Sequence, residues 1–346
     1  MSEVKFGMLL SAPMPSLDRV MRIAEMSENS GMKSLAIPDH TLMVPPGFTP
    51  NALALLSVLA VKTKTAMLGT GVTDFARYHP SLLAQYFATL DHLSNGRVFL
   101  GVGAGEAMNI RPFGIDWDRP YTILREGIEI VKRLWRGEKF SYEGKKFRLE
   151  NAFLQIKPLG DIPVYVGANG MKTRELVGEM CEGWMPIAET PGTYRKNLKD
   201  VKRGCEKAGR SIKEVDAALQ IYTAIDEDPQ KAMQRARQFA GVIVSAAEKA
   251  EQAGYEIQLP DGVSKKYYFE QLLLEDEMLM QFVKMSNLVT DEMIRDFFIV
   301  GTPEECSERI EEFVKAGVRH FMLINIGPDP KYVLKVYAEK IIPSFG

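Results

Sequence analysis

Short apolar runs alternate with amphipathic stretches along almost the whole chain. The run "VKFGMLL" (Val4–Leu10) predicts a strand. After it, Leu17–Ser30 brings Leu17, Val20, Met21, Ile23, Ala24 and Met26 mainly to one side of a helix that stops at Gly31. "SLAIP", from Ser34, predicts a second strand and is followed by a helix from about Ala52 to Lys62. "TAMLGTGV" (Thr65–Val72) precedes the helix Ser81–Leu93, and "VFLGVGA" (Val98–Ala104) leads to the helix Tyr121–Trp135. The pattern returns with "PVYVGA" (Pro163–Ala168) and Met171–Cys181, then "GWMPI" (Gly183–Ile187) and Thr193–Ala208. "DAALQIYTAI" (Asp216–Ile225) precedes a long helical region, and "HFMLINI" (His320–Ile326) precedes the terminal helix Lys331–Lys340.

About eight strand–helix units result, the number in a (β/α)8 TIM barrel, whose strands are buried on both faces and read as continuous apolar runs. Periodicity cannot show closure, so an open doubly wound sheet is the alternative. The barrel is the expected architecture, as a single domain over residues 1–346. Two stretches break the repeat. Residues near 138–157 alternate around Glu143-Gly144 and predict a hairpin excursion. Residues near 229–299 are rich in Met, Gln and Glu and mostly helical in pattern, an insertion that reads equally as a lid, an interface or wall packing. Beyond it, Thr302-Pro303-Glu304-Glu305 is a helix start: a capping threonine, proline at the first position and acids in the first turn.

Charge removes whole classes of partner. Against 43 basic residues stand 45 acidic ones in a chain of 346, a formal net charge of −2, so nothing in bulk draws the protein to nucleic acid or an anionic membrane. The apolar runs fall short of the ~18 residues of a spanning helix. Three separated cysteines suit a reducing cytoplasm rather than a disulfide framework. The four histidines show no i,i+4 pair, so no metal site is expected.

In such a barrel, chemistry gathers at the C-terminal ends of the strands. Unusual polar and glycine residues follow five successive runs: Asp39 and His40; Gly71, Thr73 and Asp74; Gly103, Gly105, Glu106 and Asn109; Gly167, Asn169, Gly170, Lys172 and Thr173; then Glu189. Each has a plain alternative, since Asp39 can cap a loop and His40 can be a satisfied structural histidine. His79, before Pro80, reads as a turn, while His92 and His320 fall in a helix and at a strand start. "GVGAGEAMN" (Gly101–Asn109) lacks the G-x-G-x-x-G spacing, and its glycines are expected to admit a flat or bulky ligand. "VGANGMKT" (Val166–Thr173) runs from a strand into a helix whose free N–H groups suit a phosphate, with Lys172 adding charge.

The block Gly69–Asn109, together with "IPDH", "VGANGMKTRELVGEMCEGW" and "VGTPEECSERIEEFVKAGV", resembles the luciferase-like flavin and deazaflavin oxidoreductases over nearly the whole chain. The Asp39-His40 pair and "GEAMN" are most similar to the branch that uses coenzyme F420, and "GTGVT" to its methylenetetrahydromethanopterin reductases. The resemblance implies a hydride-transferring oxidoreductase with a small-molecule substrate. His40 and Glu106 would be catalytic, and Asp39 would touch the cofactor ring or orient its neighbour. Thr70, Gly71, Val72, Thr73 and Asn109 would hold the cofactor, with a cis Gly71–Val72 peptide behind the ring. Gly167, Ala168, Asn169, Gly170, Met171, Lys172 and Thr173 would bind its phosphate. Glu106 would be a general acid only if its surroundings hold its proton. The chain departs from the glucose-6-phosphate dehydrogenases at Val44, where they carry a tryptophan, and from the reductases after Gly7, where they carry an acid. An FMN-dependent monooxygenase and a non-catalytic deazaflavin binder are the rival readings. Outer helices such as "SLLAQYFATLDHL", with the resemblance, make a homodimer or higher homo-oligomer the expected state.

Overall fold

The computed structural model describes residues 3–10, 16–44 and 47–345. Pro45 and Pro46 lie outside them. The barrel strands are β1 (Lys5–Leu9), β2 (Ser34–Ile37), β3 (Met67–Thr70), β4 (Val98–Gly103), β5 (Val164–Val166), β6 (Gly183–Trp184), β7 (Asp216–Ile225) and β8 (His320–Asn325). They pair in parallel in that order, and β8 returns to β1 with Lys5 opposite His320 and Met8 opposite Leu323. The ring is therefore closed, and the open sheet is excluded. Every residue of β4 is buried, as two-sided packing between lumen and helices requires.

Local chemistry fixes the helix starts. Ser16 caps Leu17–Asn29 by accepting from the Arg19 amide, and that helix buries Val20, Ile23 and Ala24 against the barrel. His79 caps Pro80–Ser94, and Thr302 and Glu305 form a reciprocal capping box at Pro303–Ala316. The helix after β6 starts at Pro191, earlier than its apolar pattern suggests, because Thr190 caps it. The last helix, Pro330–Val336, continues through a π-helical turn, Tyr337–Ile341, into Ile342–Phe345.

Two short strands depart from expectation. The third apolar run breaks after Thr70, and Thr73–Asp74 resumes beside β4. Ile299–Gly301 adds to the far end of β7, three residues too few to stand out from the helical sequence before them. The excursion is a hairpin of Phe140–Glu143 and Arg148–Ala152. The Glu126 carboxylate accepts the amides of Lys145, Lys146 and Phe147 and so seats its turn on the helix Pro120–Trp135. Six helices build the insertion: Pro229–Arg237, Gly241–Ser245, Ala247–Gln252, Tyr267–Glu270, Asp276–Ser286 and Asp291–Phe297. Among the described residues no helix is long and apolar enough to cross a membrane.

The N-terminal pole of the barrel is closed by polar side chains. His320 lies 2.7 Å from Ser34 Oγ and 2.9 Å from Asp216 Oδ2, which also accepts from Lys5 and Tyr165. Ser34, His320 and Asp216 follow the order of a hydrolase triad, yet they are packed into the bottom of the barrel, opposite the cleft described next.

Candidate active site

A cleft of about 340 Å³ opens at the C-terminal ends of the strands. It is within the size range of small-molecule sites. His40 enters it from the loop after β2 and Glu106 from the loop after β4, with Nε2 and Oε2 3.5 Å apart. Asn109 sets this pair. Its Oδ1 accepts the amides of Thr41 and Leu42, both at 2.8 Å, and its Nδ2 donates to Glu106 Oε2 at 3.2 Å. One buried carboxamide thus ties the histidine loop to the acid.

Beneath His40, Asp39 is buried and accepts from the Thr73 hydroxyl at 2.7 Å and from Arg77 at 3.0 Å. Arg77 also donates through Nε to Asp74 at 2.6 Å and through Nη2 to the Asp39 carbonyl at 2.6 Å. Burial disfavours the guanidinium charge, but Asp74 and Asp39 outweigh it and raise the Arg77 pKa. A single cation therefore locks the loops after β2 and β3 together. Asp39 also lines the cleft.

The Gly71–Val72 peptide is cis, as the resemblance implied, and Gly71, Val72 and Thr73 line the cleft. Thr70 does not. Its hydroxyl donates to the Gly101 carbonyl at 2.6 Å, behind the wall. The glycines of "GVGAGEAMN" also serve the protein itself. A Cβ on Gly101 would sit 1.9 Å from the Thr70 carbonyl, and Gly105 has φ +90°, so close backbone packing and a left-handed turn require them.

After β5, Gly167, Asn169, Gly170 and Thr173 line the cleft. Ala168 is buried outside it, its carbonyl accepting from Trp184 Nε1 at 2.9 Å. Met171 and Lys172 are exposed at the start of the helix Met171–Met180, which has no side-chain cap, so their amides are among its orphan donors. Arg174 braces this turn, donating to the Asn169 carbonyl and to Asp200.

The insertion supplies the remaining wall: Val242, Ala246, Glu248, Lys249, Lys265, Lys266, Tyr268 and Phe269 face the cleft, so this part of it covers the mouth. Lys249 pairs with Glu189 after β6, and Asn197 donates to both Glu189 oxygens. Burial pulls the Lys249 ammonium down, partly offset by Glu189. Tyr222, on β7, also faces the cleft. Burial, then the Glu106 charge, pushes its hydroxyl up to about 12, and burial raises that of Tyr268 as well. Sequence reasoning missed Arg77, Tyr222 and the insertion residues. Tyr222 alone carried a signal, since it lies in the C-terminal half of a barrel strand.

A (β/α)8 barrel with this cleft over its strand ends is the architecture of a flavin-type oxidoreductase family, and the sequence agrees. The family model of luciferase-like monooxygenases matches residues 2–320, and the chain belongs to that family. It is 31% identical over 349 residues to the F420-dependent glucose-6-phosphate dehydrogenase of Microbacterium testaceum, covering 98% of this chain and 97% of that one. It is 32% identical over 326 residues to the 5,10-methylenetetrahydromethanopterin reductase of Archaeoglobus fulgidus, covering 92% and 93%. Among solved structures, an F420-dependent secondary alcohol dehydrogenase in complex with an F420–acetone adduct superposes with a TM-score of 0.84 at 27% identity over 99% of both chains.

The residues present fit such a cofactor. His40 Nδ1 and Asn169 Oδ1 are buried without a hydrogen-bonding partner, and both residues line the cleft. Buried polar atoms in native proteins are nearly always satisfied, so a molecule bound in the cleft, cofactor or substrate, is the natural partner for each. Gly167 adds open wall, since a Cβ there would meet only Val72 at 3.5 Å and the Met185 carbonyl at 3.8 Å.

Proposed function

We propose that the protein is a coenzyme F420-dependent oxidoreductase, with His40 and Glu106 at the reacting centre. The observation that carries this reading is the convergence of His40, Glu106 and two partnerless buried polar atoms on one cleft. The F420-dependent activities of relatives that span nearly the whole chain support it.

When bound, the deazaflavin supplies or accepts a hydride at its C5 carbon. The chain's own residues do the rest. Gly71, Val72 and Thr73 form the wall for the ring, while Gly167, Asn169, Gly170 and Thr173, with the amides of Met171 and Lys172, receive the phosphate. Thr70 and Ala168 hold that wall from behind, and Asp39 and Asn109 position the loops. Hydride addition to a carbonyl or imine leaves an oxygen or nitrogen that takes up one proton, and Glu106 gives it. His40 hydrogen-bonds the same atom and, as the imidazolium, passes its own proton to the Glu106 carboxylate across the 3.5 Å gap, taking a replacement from solvent. Oxidation of an alcohol or amine runs these transfers backward.

The same reading has the protein as a cytoplasmic homo-oligomer, a dimer or higher. The helices Ala52–Lys62 and Pro80–Ser94 expose Val58, Val61 and Leu82, apolar side chains that a second copy would cover. Loss of oxidised F420 absorbance on addition of a donor, strictly dependent on protein, tests the activity. Oxygen consumption with reduced FMN instead would assign the monooxygenase reading.

A further inference from the structure

The turn after β5 treats its two kinds of backbone group in opposite ways. The amides of Asn169, Gly170, Met171, Lys172 and Thr173 meet no acceptor among the described residues, a row of successive orphan donors. The carbonyls are engaged. That of Ala168 accepts from Trp184, and that of Gly170 accepts from the Arg174 amide at 3.0 Å and the Thr173 hydroxyl at 2.8 Å. That of Asn169 accepts from Arg174 Nη1. A helix start receives an anion only while its amides face the ligand and its carbonyls do not. Arg174 takes no part in the cleft wall that Asn169, Gly170 and Thr173 form, so its bond draws the Asn169 carbonyl away from the cavity.

Arg174 is itself buried and fixed. Asp200 Oδ2 accepts from its Nε at 2.8 Å and lies 2.7 Å from its Nη2, while Oδ1 accepts from Arg203 at 2.7 Å. Arg203 also donates to Glu175 at 2.6 Å, and Lys207 reaches the other oxygen of Glu175 at 2.6 Å. Alternating charges thus run from the surface to the turn, across the helices Met171–Met180 and Pro191–Lys207. The planar fork is what this place needs. One guanidinium spans Asp200 and the Asn169 carbonyl at once, a geometry that a lysine ammonium does not reproduce.

We propose that Arg174, held by Asp200, is a positioning residue for phosphate recognition. It turns the Asn169 carbonyl aside and keeps the row of amides open to the phosphate of a bound cofactor. This rests on the proposed function in taking the turn after β5 as the phosphate site. The consequence is selective: loss of Arg174 weakens ligands that carry the phosphate and spares those that lack it.

Deazariboflavin and deazaFMN share one ring and one ribityl chain and differ by the phosphate alone. Both are titrated by calorimetry into the full-length, cofactor-free protein, R174M and R174K. R174K keeps a cation beside Asp200, so it decides the question if R174M does not fold. The parent should favour deazaFMN, and R174M should lose roughly tenfold or more of that affinity, with R174K losing part of it. Deazariboflavin affinity should stay within about twofold in every variant. Equal loss of both ligands in R174K would reduce Arg174 to a general structural role and overturn the proposal. Parental deazaFMN affinity in R174K overturns it too, since charge without the fork would then suffice, and so does a parent that fails to favour deazaFMN. The same selective loss seen with FMN and riboflavin, in a protein that takes up neither deazaflavin, would sink the F420 reading and leave this inference standing.

Discussion

Nε2 of His40 and Oε2 of Glu106 meet at 3.5 Å across the barrel mouth, delivered by loops that follow different strands. Neither residue reaches the other through its own loop. Asn109 makes the meeting possible by binding two amides of the histidine loop and the carboxylate at once.

If that pair moves the proton, H40A and E106Q each lower kcat by ~10²–10⁴-fold. Both should leave the F420 dissociation constant within about threefold, since the ring and phosphate walls stay intact. Single-turnover kinetics beside equilibrium titration separates the two effects. Parallel loss of affinity and rate would reassign these residues to binding.

N109A strips partners from two loop amides and from Glu106. Each of these partly buried bonds is worth about 0.5–1.5 kcal/mol, so a drop in Tm is expected together with a fall in kcat. A positioning role predicts that N109S, able to accept one of those bonds, recovers part of both. Unchanged kcat in a folded N109A protein would contradict it.

G167A separates ligand contact from folding. A methyl there meets nothing closer than 3.5 Å, so stability should stay within ~0.5 kcal/mol of the parent. F420 affinity should nevertheless fall, because the methyl projects into open cleft wall. G101A provides the contrast, with a Cβ 1.9 Å from the Thr70 carbonyl, and should fold poorly. Normal F420 affinity in G167A would move the cofactor off this turn.

The closed pole of the barrel should show in acid. Burial alone would raise the Asp216 carboxyl, but His320 and Lys5 hold it far below the usual carboxylate range. A folded pKa below the unfolded one stabilises fully above ~pH 4 and is lost as pH falls toward the folded value. D216N should therefore lower Tm at pH 7, and the gap to the parent should shrink below ~pH 4. A gap that stays constant from neutral to acid pH would show that the charge of Asp216 contributes nothing.

The fold was legible because parallel barrel strands are buried on both faces, so runs such as Val98–Gly103 stand out without alternation. Closure was not, since it depends on the register of Lys5 against His320, and no local pattern encodes that pairing. His40 and Glu106 could be read as polar residues placed where apolar strands end. Arg77 and the partner that Glu189 finds in Lys249 could not, because their meaning lies in contacts that sequence spacing does not mark, and Tyr222 showed only its place in the C-terminal half of a strand. Of the glycines near Gly101, Gly103 and Gly105 do line the cleft, and Gly101 alone misled. It looked like room for a ligand and is room for the Thr70 carbonyl.

The central claim is tested most directly by titrating the cofactor-free protein with oxidised F420 and, separately, with FMN, following tryptophan fluorescence. Trp117 is placed to report, since its Nε1 donates at 2.8 Å to the carbonyl of Ala104, a residue of the cleft. Saturable quenching by F420, with FMN bound far more weakly, is the predicted result. Preferential binding of FMN would contradict the account and return the chain to the oxygen-using side of its family.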